Sequence, residues 1–143
     1  MITPRLISRR VILVSAPAAL LAPSPSRATI ARVDDLIAAF AAGRPVTDGR
    51  VRLDVPVLVD NGNAVAMAVA VDGPAREIAV FADGNPLPEV LRLRVGPAAG
   101  SPRFETRIRL ATSQTVTALA RLDDGSCWRA RVELLVTIAA CIE

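Results

Sequence analysis

The sequence predicts an all-β fold, an immunoglobulin-like antiparallel β-sandwich of about seven strands preceded by one short helix. Three observations lead there. Seven short runs between Arg50 and Ile138 alternate apolar and polar residues. Clusters of Asp, Asn, Gly, Pro and Ser separate them, and these residues tolerate the backbone angles of tight turns. The length, 143 residues, suits one domain, and with 52% hydrophobic but only 3% aromatic residues its core must be built from Val, Leu, Ile and Ala.

The helix comes first. Thr29 can cap a segment from Ile30 to Ala42, in which Ile30, Val33, Leu36, Ile37 and Phe40 recur at helical spacing, and Gly43 stands at the stop position. Such a stripe predicts docking, onto the parent domain or a partner subunit. After Pro45 the period changes to two. Val51, Leu53 and Val55 share one face of the first run, and Asp60-Asn61-Gly62-Asn63 turns the chain into Ala64–Val71, where Val65, Met67, Val69 and Val71 oppose four alanines. Asp72-Gly73-Pro74 leads to Glu77–Ala82, and Asp83-Gly84-Asn85-Pro86 to Glu89–Val95. A loop from Gly96 to Pro102 precedes Arg103–Leu110, followed by Gln114–Leu122, the turn Asp123-Asp124-Gly125-Ser126, and a last strand over Cys127–Ile138. The Arg92/Arg94 and Arg103/Arg107/Arg109 rows read as a solvated sheet face, and Met67 and Trp128 as core.

Residues 1–28 read as an export signal. Ser8-Arg9-Arg10 before the apolar stretch Val11–Ala22 has the form of a twin-arginine signal, and Ser26-Arg27-Ala28 offers small residues for cleavage. The stretch is too short to span a bilayer stably, so no membrane association is expected after its removal. The expected destination is the periplasm. Four of the seventeen arginines and no acid lie in this segment, so the remainder carries 13 basic against 14 acidic groups, a net charge of −1. The basic pI therefore gives no support to nucleic-acid binding. The chain has no histidine and no lysine, which removes the commonest general base, the commonest metal ligand and any Schiff-base amine. No catalytic set, metal site or cofactor is expected, and an enzyme in its own right is disfavoured.

Two cysteines remain. Alternation puts Cys127 on the strand face opposite Trp128, where it reads as a strand-edge residue without a function. A continuous strand from Cys127 to Ile138 advances roughly 36 Å, and the three residues to Cys141 return only about 10 Å of that. A disulfide needs Cα atoms within about 7 Å, so the two cannot pair within the chain. Cys141 stands third from the end of VTIAACIE, a place where a thiol fills no core; reactivity is the alternative to a chance residue.

The blocks NGNAVAMAVAVDGP (61–74), IAVFADGNPLPEVLRLRVGP (78–97), TRIRLATSQTVTALARLDDGS (106–126) and VTIAACIE (136–143), in this order, resemble SoxY, the sulfur-carrier subunit of the thiosulfate-oxidising Sox system. FADGNPLPEV and TRIRLATSQ are the specific parts, and the likeness takes in nearly the whole chain. It implies an Ig-like sandwich over 48–138, an N-terminal helix and linker over 29–47, and a C-terminal arm over 139–143. It implies a heterodimer with a SoxZ-like subunit and, as further partners, a Sox cytochrome, a hydrolase and a sulfane dehydrogenase. It also implies that Cys141, at the position of the family's carrier cysteine, is the covalent attachment point for sulfur.

The arm departs from the family. Ala139-Ala140-Cys141-Ile142-Glu143 stands where the family has Gly-Gly-Cys-Gly-Gly. Alanine restricts a backbone that glycine leaves supple, and Ile142 adds β-branched bulk beside the sulfur. Glu143 and the terminal carboxylate disfavour a thiolate, so they should raise the cysteine pKa and repel anionic sulfur species. The residues leave two readings open: a covalent carrier with an altered arm, or a non-carrying interaction subunit that binds a periplasmic partner.

Overall fold

The computed structural model of the chain describes residues 25–137. Helix α1 spans Pro25–Ala41, and nine strands follow: β1 (Val46–Asp48), β2 (Val51–Asp54), β3 (Leu58–Val59), β4 (Val65–Val71), β5 (Ala75–Ala82), β6 (Glu89–Arg94), β7 (Arg103–Ile108), β8 (Gln114–Leu122) and β9 (Cys127–Val136). A single 3-10 turn, Pro97–Ala99, interrupts the β6–β7 loop.

The strands form two sheets packed face to face. The larger runs β1-β9-β8-β5-β6 with β3 added beside β9, and the smaller runs β2-β4-β7. The seven expected runs are β2 and β4–β9, and they pair antiparallel. The sequence did not announce β1 and β3, which pair parallel to β9, Val46 opposite Cys127 and Leu58 opposite Leu135. Together they line the outer edge of β9 along both halves of its length.

Alternation builds the core between the sheets. Val65, Met67, Val69 and Val71 of β4 meet Ile78, Val80 and Ala82 of β5 and Val116, Ala118, Ala120 and Leu122 of β8, with Trp128, Ala130, Val132 and Val136 of β9 packed against them. Strand β5 is buried on both faces, because Ala79 and Phe81 turn outward with Leu119 into a second cluster with Val33 and Phe40 of α1. The expected helical stripe thus docks on its own sandwich, making a three-layer stack of helix, large sheet and small sheet. The helix begins at Pro25, earlier than the Ile30 expected, and stops through two left-handed residues, Ala42 (φ 51°) and Gly43 (φ 79°). Its anchor is Phe40, 1% exposed. The guanidinium groups of Arg121 and Arg92 lie 4.9 and 5.6 Å from the Phe40 ring centre, and Arg121 also donates to the Phe40 carbonyl at the helix end.

The arginine rows are exposed, as expected of a solvated sheet face, and on that face Arg92 is ion-paired. It forks onto Glu89 through Nε (3.0 Å) and Nη2 (2.8 Å), and reaches Glu77 through Nη1 (3.0 Å). Arg121 meets the other oxygen of Glu77 at 3.3 Å. On β7, by contrast, the Arg103–Glu105 pair is exposed.

Cys127 is a correction. It is 1% exposed rather than a bare strand-edge residue, lying beside Arg44 and Pro45 of the helix-to-β1 connection and Thr47 of β1. The reason is β1 itself, which covers the edge of β9 that the sequence left open. Among the described residues Cys127 is a free thiol. Since β9 runs unbroken to Val136, roughly 30 Å away, the five residues to Cys141 span at most about 18 Å. No bridge to Cys127 can close.

Candidate functional site: the root of the C-terminal arm

Residues Ala139, Ala140, Cys141, Ile142 and Glu143 lie outside the described residues. What the structure defines is the end of the sandwich from which they leave. The last residues of β9 are held one by one. Leu135 N–H donates to the Val57 carbonyl (2.8 Å), Val136 N–H to Ser113 Oγ (3.0 Å) and Thr137 N–H to the Val59 carbonyl (2.8 Å). The Thr137 hydroxyl also lies 3.1 Å from Asp60 Oδ1. The arm therefore departs from a fixed point.

That point sits in a platform of three loops. Leu110 N–H donates to the Gly62 carbonyl at 2.7 Å, joining the β3–β4 turn to the β7–β8 loop. Asn85, in the β5–β6 turn, bonds the same loop from the other side. Its Nδ2 donates to the Arg109 carbonyl (2.8 Å), and its Oδ1 accepts from Ala111 N–H (2.9 Å) and Gln114 Nε2 (3.1 Å). Gln114, 6% exposed, donates from the same Nε2 to the Thr112 carbonyl (2.9 Å), while its Oε1 accepts from Gly84 N–H (2.9 Å). Asp83 Oδ1 accepts from Thr115 N–H (2.8 Å). The buried amide of Gln114 is thus satisfied on both its oxygen and its nitrogen, as burial of a polar group requires. The stretches DGNP and LATSQ, read as turns in the sequence, are two halves of one hydrogen-bonded unit.

The platform borders a groove of about 900 Å³ between the free edges of the two sheets, β6 and β7. Val80 pairs with Leu91 and Phe81 with Glu89, so Val90 is the extra residue of a β-bulge. That bulge lets two consecutive residues, Val90 and Leu91, line the groove together with Leu87, Ile108, Leu110 and Val136. Asp60, Arg107 and Arg109 are the charged residues of its lining. Val136 and Thr137 form part of the wall, so the arm's root and the groove are continuous. Among the described residues no cluster of three or more metal-ligating side chains occurs, and no helix is long and apolar enough to cross a membrane.

The family model for sulfur oxidation protein SoxY matches residues 37–141. The chain belongs to the SoxY family. The match spans the helix end, the whole sandwich and the segment up to Cys141. The sulfur carrier protein SoxY from Chlorobium limicola f thiosulfatophilum superposes with a TM-score of 0.67 at 28% identity, covering 76% of this chain and 99% of that one. No curated protein matches the chain. A superoxide reductase (neelaredoxin) from Ignicoccus hospitalis shares the fold alone, with a TM-score of 0.54 at 20% identity over 62% of this chain and 81% of the other. The two-sheet sandwich with one helix is the Ig-like SoxY architecture.

Proposed function

We propose that this SoxY protein is an exported, periplasmic carrier of thiosulfate-derived sulfur, with Cys141 as the covalent attachment point. The observation that supports this reading most is the extent of the family match, which runs through the sandwich and ends on Cys141 itself. The thiolate is the nucleophile of such chemistry. Joining Cys141 to the sulfane sulfur of thiosulfate forms one S–S bond and releases two electrons, which a Sox cytochrome takes up. Hydrolysis by a second partner then releases sulfate and leaves a persulfide, whose outer sulfur a sulfane dehydrogenase oxidises. The carrier supplies position, not catalysis, and a SoxZ-like subunit completes it as a heterodimer.

A second reading has its own observation. The four glycines of the family arm are Ala139, Ala140, Ile142 and Glu143 here, a change that stiffens the arm and adds negative charge. On that reading the protein binds a periplasmic partner without carrying sulfur. Intact mass and peptide mapping of residues 132–143, on protein from cells oxidising a reduced sulfur compound, decide between them. A sulfane or thiosulfonate mass on Cys141, lost in Cys141→Ser, is the expected result. A bare Cys141 in such cells would sink the carrier reading.

A further inference from the structure

We propose that the open edge of β7 is a docking site for an extended segment of a partner protein in which apolar and acidic residues alternate. The segment adds a fourth strand to the three-stranded sheet, its apolar side chains covering β6 and its carboxylates meeting Arg107 and Arg109. This inference is independent of whether Cys141 carries sulfur.

The two sheets end unequally. Inward side chains of β5 and β8, such as Ile78, Val80, Val116 and Ala118, are fully buried. On β6, Val90, Leu91 and Leu93 are only half-buried, because the small sheet stops at β7 and leaves the groove of about 900 Å³ open between the two edges. Leu87, 73% exposed, belongs to the same lining. Neighbouring apolar side chains left half in water mark an interaction surface. The backbone selects the kind of cover. Val71 N–H donates to the Pro102 carbonyl (3.0 Å) and Leu110 N–H to the Gly62 carbonyl (2.7 Å), and the register between them is unbroken, so the even-numbered residues of β7 bond to β4. Alternate residues of an antiparallel ladder face the other way. The N–H and C=O groups of Glu105 and Arg107 therefore point to the open edge, a template for one more strand. Charge selects which strand. The acid of β7, Glu105, is paired with Arg103 at 3.1 Å. Arg107 and Arg109 are exposed and enter none of the ion pairs among the described residues. Asp60, the acid of the groove's lining, is engaged with the Thr137 hydroxyl. Two positions apart on one face, the arginines stand about 7 Å from each other along the chain, the spacing of acids at i and i+2 in an added strand. Opposite charges side by side across two strands favour the pairing, and a basic strand is repelled by the same arginines.

The test uses the intact protein and two labelled synthetic heptapeptides, one alternating valine with glutamate and the other valine with lysine, titrated by fluorescence anisotropy. The glutamate peptide is expected to bind about tenfold more tightly than the lysine peptide, and the double variant Arg107→Glu with Arg109→Glu to reverse that order. Amide hydrogen exchange then locates the contact. With the glutamate peptide at saturation, the N–H groups of Glu105 and Arg107 slow by about tenfold or more, whereas those of Phe104 and Thr106, already bonded to β4, keep their rates. Absence of binding, equal binding of the two peptides, or an order that the double variant leaves unchanged overturns the proposal. Charge-dependent binding that leaves Glu105 and Arg107 exchanging at their free rates overturns it too, since no strand is then paired to the edge. Slowing of those two amides with rising protein concentration and no peptide puts a second copy on the edge, and that also overturns it. None of these readouts involves sulfur.

Discussion

Gly62 and Leu110 touch backbone to backbone: the Leu110 N–H donates to the Gly62 carbonyl at 2.7 Å, and a Cβ on Gly62 would stand 2.2 Å from the Leu110 carbonyl oxygen. Nothing flexible lies in the way to yield, and Val136 Cγ1 is 3.3 Å from the same point. Gly62→Ala must therefore move the β3–β4 turn away from the β7–β8 loop. The expected cost is about 1–3 kcal/mol, read as a lowered urea midpoint with an unchanged slope. Chemical shifts at Val136 and Thr137 should move with it, because the arm's root shares the contact.

Asn85→Ala removes one donor and one acceptor at once. The Arg109 carbonyl, the Ala111 N–H and Gln114 Nε2 all lose a partner, of which Gln114 is buried. A loss of about 2–3 kcal/mol follows. Asn85→Asp keeps the acceptor for Ala111 but sets a carboxylate against the Arg109 carbonyl, so it should recover only part of that stability. Wild-type stability in Asn85→Asp would show that the Arg109 contact carries no weight.

Phe40→Ala empties the fully buried anchor of α1 and takes away the ring between Arg92 and Arg121. A destabilisation of about 3–5 kcal/mol is expected. Limited proteolysis should cut near Arg44 faster than in the wild type, while the β-sheet circular dichroism signal survives at low temperature. Loss of that signal instead would mean that the sandwich does not hold together without its helix.

Acidification acts through three depressed carboxylates, of which Asp124 is held down by hydrogen bonds from the Ser126 hydroxyl and N–H. The hydrogen bonds from Arg92 hold Glu89 below its ordinary value of 4.5, and those from Arg129 hold Asp48 below 3.8. A lowered folded-state pKa contributes stability that is present above the unfolded value and is lost as the pH falls through the folded one. Thermal stability should therefore decline on acidification from about pH 5 to about pH 3. All three groups face solvent, so the effect is modest and fades with added salt. Glu89→Gln should flatten the decline; an unchanged slope would remove the Glu89–Arg92 pair from the account.

Cys127 supplies a thiol count. At 1% exposure it should stay unreactive in the folded protein and react only on unfolding. In native buffer a thiol reagent should modify Cys141 alone, and in denaturant both cysteines. Fast native labelling of Cys127 would mean that β1 does not stay on the edge of β9.

The strands that alternate against a solvated face were legible in the sequence, and β4 is the clearest, its four inward valine and methionine positions reading straight into the core. The two short strands were not. A pairing between Val46 and Cys127 spans 81 residues and leaves no local period in a strand of three. The misreading of Cys127 follows from that same omission: its face was assigned correctly, but a cover contributed by a distant segment is invisible to alternation. The arm's platform shows the same limit. Asn85 and Gln114 are ordinary turn and strand-start residues by themselves, and only the folded chain brings their amides together across 29 positions. The family resemblance rested on those stretches without the turn chemistry explaining why they matter. Cys141 was singled out by its place in the chain, and the groove beside its root was not foreseen, since a bulge at Val90 carries no sequence mark.

The clamping of Thr137 has a consequence for traffic. Cys141 is four residues beyond that clamp, so the thiol can visit only points within about 14 Å of it. On the carrier reading proposed above, any protein that reacts with sulfur on Cys141 must park over this one end of the sandwich. Partners that act in succession on that cargo would then share one doorstep.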